Sequence, residues 1–447
     1  MTNNWPRSIL ESIRRSHLLR VLLIGFLILL LLPPIAMIRG VIGERERTRQ
    51  TAVQEVTAKW GGSQSLVGPW ITVPYSHERI ETRKDGDDEK IERHIETRYA
   101  TFLPETLDIS GNVDSEVRYR GIFEVPVYAM SLAMTGRFSR PDFSEWGIQP
   151  NDVLWDRAFL SLGISDARAI TDQTVLTWNG NELELLPGSG ESTGGKPGIH
   201  AGLKRELESD AFDFSFPLAL NGSEAVFFTP FGRETNVELT SNWTEPSFQG
   251  NWLPSQRSVT GSGFQATWTI PFLGRNYPQQ WKTGAGYENA IPSSQFGVKL
   301  LAPVDHYRMA LRSVKYAALF LVLTFATFWL VEILSKTRIH PLQYLLVGAG
   351  MCVFYLLELS LAEHIGFVAA YASASLAVVL LVAAYSVAVL KSATRATIVG
   401  AVVALLYGYL YVLLRNQDYA LLIGSIGLFL AIATVMYLTR KIDWYTR

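Results

Sequence analysis

The sequence predicts a membrane protein. Its fold class is an α-helical transmembrane bundle of six spans plus a large, mainly antiparallel β, sandwich-like extracytoplasmic domain. Three observations carry this. One apolar run lies near the start, from Leu18 to Ile38, and the next begins only near Tyr316. Five such runs then follow almost back to back. Between the first and second lie about 275 residues that alternate apolar and polar positions, rich in Val, Thr, Tyr, Phe and Trp and punctuated by Gly, Pro, Asn and Ser. A hydrocarbon core about 30 Å thick takes about 20 apolar residues of helix. A period of two marks a half-buried strand.

Taken in order, residues 1–17 form a cytoplasmic N-terminal tail. Residues 18–38 (LLRVLLIGFLILLLLPPIAMI) form the first span. The stretch is too long for a cleaved signal peptide and has no small-x-small cleavage site, so it is expected to be an uncleaved signal anchor. Residues 40–60, with Val41, Ile42, Val53, Val56 and Trp60 apolar, continue it as helix. Residues 39–313 are expected to make up the extracytoplasmic β-rich domain. After Gly61-Gly62 the texture turns to strands. PWITVPY and HIETRYATFL flank a charged stretch with Lys84-Asp85-Gly86-Asp87, and Asp-Gly is a strong hairpin signal. Further strand runs are expected at 116–138, 158–164, 174–186, 212–220, 224–239 and 264–270. A short helical element is expected near 142–157. The stretch PVDHYRMALRSVKYAALF is expected to carry helix from the domain straight into the second span. The five-helix block covers 314–438, with spans at about 314–334, 342–361, 365–390, 396–414 and 419–438. Residues 439–447 form a cytoplasmic C-terminal tail.

Loop charge orients the chain. Arg7, Arg14, Arg15, Arg20, Lys336, Arg338, Lys391, Arg395, Arg440, Lys441 and Arg447 fall on one side of a six-span arrangement. The opposite short loops hold only Arg415. Long translocated domains largely escape the rule, so the flanks of the large domain are set aside. Both termini are expected in the cytoplasm and the β-domain outside it.

Composition excludes several classes. The formal net charge is -1 over 447 residues, so no global basic field points to nucleic acid. Charged residues make up only 18% and the C-terminal third is nearly free of them. The single cysteine, Cys352, sits in an apolar run and allows neither an intrachain disulfide nor a thiolate metal cluster. Gly190–Pro197 approaches a phosphate-binding loop, but Pro197 stands where a magnesium-binding Ser or Thr is required. A flexible loop is the better reading. The histidines form no HExxH pair. His77 and His94 face each other across the proposed hairpin, where solvated side chains are a better reading than a metal site. No serine-hydrolase nucleophile elbow, a serine on a sharp strand-to-helix turn, is expected. Asn221-Gly-Ser and Asn242-Trp-Thr match the glycosylation sequon, which matters only in a eukaryotic secretory setting. No catalytic residue, metal or cofactor is expected.

The candidate functional residues are therefore ionisable groups near the membrane: Glu332, His340, Glu358, Glu363 and His364. Intramembrane carboxylates are costly and often functional. Close to a helix end, however, they reach headgroups or pair between helices at little cost. That reading is preferred over a proton or ion relay. In the fourth span Ala370 and Ala374, and Ser373 and Ala377, stand four apart and suit close helix packing. Trp444 and Tyr445 are expected to anchor the cytoplasmic interface.

Several stretches carry a family resemblance: LVGPWITVP at 66–74, SNWTEPSFQGNWLPSQR at 241–257, GFQATW at 263–268, HPLQYLLVGAGMCVFYLLELSLAEHIGFVAAY at 340–371 and IDWY at 442–445. In this order and spacing the chain resembles the CreD family of bacterial inner-membrane proteins. The resemblance implies a cell-envelope-integrity protein whose production is linked to the CreB–CreC two-component system, envelope stress and the β-lactam response. It implies no established catalytic activity. Glu358 stands where the family stretch is expected to carry leucine. The expected partners are the lipid bilayer and a periplasmic protein or cell-wall component. The alternatives are a transporter or channel built from the C-terminal helices, or a wall- or lipid-acting membrane enzyme.

Overall fold

The computed structural model describes residues 17–85, 88–190, 195–204, 206–207, 209–300, 306–335, 337–416 and 419–440. The Gly86-Asp87 half of the proposed turn, residues 191–194 of the glycine-rich loop, the N-terminal tail before His17 and the Trp444-Tyr445 anchor lie outside the described residues. The chain divides into two compact units, one of Met1–Gln50 with Val304–Arg447 and one of Thr51–Pro303.

The first unit is helical. Its principal helices are α1 (His17–Trp60, which runs on into the second unit), α2 (His306–Lys315), α3 (Ala317–Ser335), α4 (Pro341–Ile365), α5 (Phe367–Leu390), α6 (Ala393–Arg415) and α7 (Ala420–Thr439). Among the described residues, six helices are long and apolar enough to cross a membrane, all of these except α2. At about 1.5 Å per residue, the 44-residue α1 is about 66 Å long, roughly twice a hydrocarbon core. It continues through Pro33 and Pro34, which membrane helices tolerate because neighbouring groups satisfy the freed carbonyls. Phe320, Phe325, Phe328 and Phe354 are the largest fully buried side chains of this unit. Gly348 permits the close approach of three helices. A Cβ there would meet Leu31 Cδ1 of α1 at 2.3 Å and the Phe325 ring of α3 at 2.9 Å. On α5, Ala370 and Ala374 are buried, while Ser373 and Ala377 are exposed. The first small-residue pair therefore serves packing and the second does not. α7 buries no residue.

Helix does not run straight into the second span as expected. It breaks at Tyr316, whose N–H bonds to Ser313 O at 3.1 Å. This i→i−3 closure ends α2 tightly before α3 begins.

The second unit is built of two sheets over one hydrophobic core. Its strands are β1 (Gln64–Asp85), β2 (Asp88–Phe102), β3 (Thr106–Arg120), β4 (Phe123–Ser139), β5 (Phe159–Ile164), β6 (Val175–Trp178), β7 (Asn181–Glu184), β8 (Leu186–Pro187), β9 (Gly198–Gly202), β10 (Ala211–Ser223), β11 (Ala225–Phe228), β12 (Glu234–Ser241), β13 (Pro246–Gly250), β14 (Gln256–Thr260), β15 (Gly263–Pro271), β16 (Gln280–Lys282) and β17 (Phe296–Leu300). One sheet runs β13-β17-β11-β1-β5-β9-β8, with β2 on β1 and β16 on β2. The other runs β14-β15-β12-β3-β4-β10-β6-β7. Pairing is antiparallel except for β1 with β11 and β3 with β12. Alternation decides which face is buried. Leu107, Ile109 and Val113 of β3 point inward, and Asp108, Ser110, Asn112 and Asp114 point outward. Trp178, Trp268, Tyr128, Phe138 and Phe212 are fully buried, each worth on the order of 2–3 kcal/mol of apolar transfer.

α1 ends on this domain for a local reason. Gly61 adopts φ +140°, and a Cβ there would strike Asn221 O at 2.7 Å. The preceding Trp60 donates its indole N–H to Tyr128 O at 3.1 Å and lies under the Arg118 guanidinium at 3.5 Å. Glu55 pairs with Arg120 at 2.9 Å.

Three strand and helix expectations are corrected. The run at 116–138 is a hairpin, because Gly121 at φ 63° turns β3 back into β4. The run at 224–239 is two strands in different sheets, broken around Pro230, which offers no N–H for a ladder. The helical element near 142–157 is three separate 3-10 turns, since Gly147 takes φ 64° and Pro150 interrupts the hydrogen bonding. In addition, His77 pairs with Glu96 and Arg79 with His94, so the two histidines are not opposite. No group of three or more potential metal ligands of the His, Cys, Asp or Glu type occurs among the described residues.

Candidate functional site

The β-domain holds a cleft of about 410 Å³, within the roughly 300–1,000 Å³ range of small-molecule sites. Ser65, Val67 and Trp70 of β1 and Gly163 and Ile164 of β5 form one side. Trp281, residues 283–287, Ile291 and Pro292 form the other, with Thr101, Phe231, Ser165, Ser189, Lys196 and Pro197 completing the wall. No carboxylate is among these lining residues. Trp70 and Phe231 are buried and meet edge to face at 6.0 Å. Trp281 and Tyr287 are half-buried, 6.0 Å apart at 64°.

A buried clamp positions Phe231. Arg275 donates from Nη1 to Pro230 O at 3.1 Å and to Phe231 O at 2.7 Å, and from Nη2 to Gln279 Oε1. Tyr277 Oη donates to Pro230 O at 3.1 Å, and its ring lies 4.9 Å beneath the guanidinium. Burial pushes the Arg275 pKa down and the Tyr277 pKa up. An arginine nonetheless keeps its charge over the accessible pH range. The clamp therefore holds by charge-assisted bonds to backbone carbonyls. The sequence did not bring these residues together, because the cleft joins segments from Ser65 to Pro292; Lys196 and Pro197 were visible only as part of a glycine-rich loop.

The five residues singled out from the sequence lie in the helical unit and play different parts. Glu332, at the end of α3, is an ion-pair partner of Arg20 and accepts from Ile339 N at 3.3 Å and Tyr344 Oη at 3.1 Å. It ties α1 to the α3–α4 connection. His340 is the N-cap of α4: its Nδ1 accepts from Leu342 N at 3.2 Å, and Gln343 Oε1 accepts from His340 N at 2.9 Å. This is a capping box with histidine in the serine position. Glu363 accepts from Tyr307 Oη of α2 at 2.9 Å and lies 3.7 Å from Arg45 of α1. His364 is exposed in the last turn of α4.

Glu358 differs from the others. Its side chain is fully buried, and Oε2 accepts from Ser313 Oγ of α2 at 2.8 Å. Oε1 has no hydrogen-bond partner and Glu358 has no ion pair among the described residues. Tyr355, Tyr371 and Tyr407 lie in electrostatic range of its carboxyl. Tyr371 Oη donates to Tyr407 O at 2.6 Å. Thus α1 and α2, the two segments that join the helical unit to the β-domain in the chain, both bond to carboxyls on the last two turns of α4.

The profile of the family described as "Inner membrane protein CreD" matches residues 16–445. The "Inner membrane protein CreD" of Escherichia coli (strain K12) is 36% identical over 421 residues, which cover 94% of this chain and 91% of that relative. The chain with this β-domain and these six spans belongs to the CreD family of inner membrane proteins.

Proposed function

We propose that this inner-membrane protein supports cell-envelope integrity by binding, without catalysis, in an envelope-stress response linked to the CreB–CreC system. In this reading both termini are cytoplasmic and the β-domain is periplasmic. The carrying observation is the 410 Å³ cleft lined by aromatic residues, hydroxyls and Lys196, with no acid in its wall among the described residues. Such a lining suits recognition better than hydrolysis, which draws on paired carboxylates or an activated nucleophile. The occupant is a periplasmic protein or cell-wall component. Arg45–Glu363–Tyr307 and Ser313–Glu358 then relay its binding to the bundle, because they tie both connecting helices to α4.

A photoreactive residue at Tyr287 in living cells tests this. An adduct with an envelope component, absent when the probe stands at exposed Val259 of β14, is the expected result. Equal labelling at both positions under envelope stress sinks the reading.

One observation favours a second reading, transport. Glu358 offers an unpartnered oxygen amid buried tyrosines, as a proton or cation site would.

A further inference from the structure

We propose that the β-domain cleft takes an acidic saccharide, with its ring faces on Trp281 and Tyr287 and its anionic group on Lys196. This rests on the reading of the β-domain as a binding domain and names the ligand chemistry. Three features of the wall carry it.

The floor offers faces rather than polar atoms. The Trp70 indole N–H is turned inward to Thr72 Oγ1 at 3.2 Å, and Phe231 packs against it. At the mouth, the half-buried Trp281 and Tyr287 rings stand 6.0 Å apart at 64°, presenting two angled π faces. The C–H face of a pyranose packs on such a surface, gaining both apolar burial and attraction to the ring quadrupole.

The polar atoms divide into two sets. Ser165 Oγ donates to Ser63 O at 2.8 Å and Ser189 Oγ donates to Lys196 O at 2.9 Å, so these serve the protein. Thr101, Thr283, Trp281, Tyr287 and Lys196 line the same cleft, and the side chain of none of them has a hydrogen-bond or ion-pair partner among the described residues. Ammonium and indole N–H groups only donate. The open set is therefore rich in donors, carries one positive charge and, among the described residues, faces no acid. It calls for a ligand with acceptors around its rim and one negative charge.

A one-headed amphiphile such as a fatty acid has its polar atoms at one end and would leave most of these groups unmet. Unmet groups at a site cost affinity. A saccharide carries oxygen around its edge and C–H on its faces, so it meets the polar wall and the rings together.

The test uses the full chain in nanodiscs, with tryptophan fluorescence and calorimetry. The probes are the N-acetylglucosamine–N-acetylmuramic acid disaccharide, neutral N,N′-diacetylchitobiose and palmitate. The acidic disaccharide should bind about tenfold or more tightly than the neutral one. Lys196→Gln should erase that preference, bringing the two sugars to about the same affinity. Trp281→Ala should weaken both sugars at temperatures where the variant is still folded, as its own melting curve shows. Equal affinity for the two sugars, or palmitate binding that Lys196→Gln weakens while neither sugar binds, overturns the acidic-saccharide assignment but leaves a binding domain. No binding of any probe to protein that melts normally also overturns it, and the photo-crosslinking from Tyr287 then decides separately whether the domain binds anything.

Discussion

Replacing Arg275 by methionine removes the buried clamp behind Phe231. Three charge-assisted donations disappear, to Pro230 O, Phe231 O and Gln279 Oε1. Pro230 O keeps its bond from Tyr277 Oη, but Phe231 O loses the guanidinium that accompanies it in the interior. Hydrogen bonds to a charged group contribute about 1.5–3 kcal/mol each, and an orphaned buried carbonyl costs about 1–3 kcal/mol. Against this, methionine no longer has to desolvate a charge, which offsets part of the loss. The net expectation is destabilisation of about 2–4 kcal/mol. For a domain of this size, about 2–4 °C of melting temperature corresponds to each kcal/mol, so the β-domain should melt roughly 5–15 °C lower. Near-ultraviolet circular dichroism of the intact protein follows the tryptophans and reads this transition. Because arginine stays charged, the difference should be the same across neutral and mildly acidic pH. Tyr277→Phe, which removes the neutral bonds to Pro230 O and Ser294 Oγ, should cost about 1–2 kcal/mol. An Arg275→Met protein that melts within about 2 °C of wild type refutes the clamp.

Other outcomes follow from the same contacts. The Arg168 side chain, helped by the Gly62 N–H, holds the Asp166 carboxyl below the usual carboxylate range. That stabilisation is present above the unfolded value and is lost as pH falls through the lower folded value. Asp166→Asn should therefore be destabilising at neutral pH, with the gap to wild type closing in acid; a pH-independent gap in urea titrations would count against it. Glu332→Ala removes the partner of Arg20, Ile339 N and Tyr344, and should lower the unfolding midpoint in detergent by an amount equivalent to about 2–4 kcal/mol, while Glu332→Gln loses less. Glu358→Gln keeps an acceptor for Ser313 and should melt close to wild type, whereas Glu358→Ala opens a cavity and should cost about 2–4 kcal/mol. Under the binding reading, proton flux in proteoliposomes stays at background for wild type and Glu358→Gln alike; flux in wild type that the glutamine variant abolishes selects transport instead. Reporter fusions at Gly198 should read periplasmic and at Arg447 cytoplasmic, and the reverse pattern overturns the orientation.

Much of the architecture was legible because solvent imposes it locally. A span must be a near-unbroken apolar run, so α3 to α7 announce themselves, and α1 continues past Ile38 because residues 40–60 keep helical spacing. The long strands β1, β2 and β10 show their period of two. Short strands do not: β13, β14, β16 and β17 are at most five residues each, too few for alternation to stand out from loop. Proline and glycine placed the errors, since Gly121, Gly147, Pro150 and Pro230 each end an element that hydrophobicity alone would continue. The ionisable residues near the membrane were visible as types, but their parts depend on register. Glu332 and Glu363 hold helices together and His340 caps one, while Glu358 is enclosed with one oxygen unmatched. The cleft was invisible, because Trp70, Lys196, Phe231, Trp281 and Tyr287 meet only through the pairing of β1, β5 and β2 with distant segments.

The most direct test of a periplasmic domain with an occupied cleft is thiol labelling of Lys196→Cys. Lys196 is exposed at the cleft wall, and Cys352, the chain's only cysteine, is buried. The account predicts labelling by a membrane-impermeant maleimide in spheroplasts without lysis, and slower labelling when cell-wall saccharide is added. Labelling that requires lysis of the inner membrane, or a rate that saccharide leaves unchanged, would contradict it.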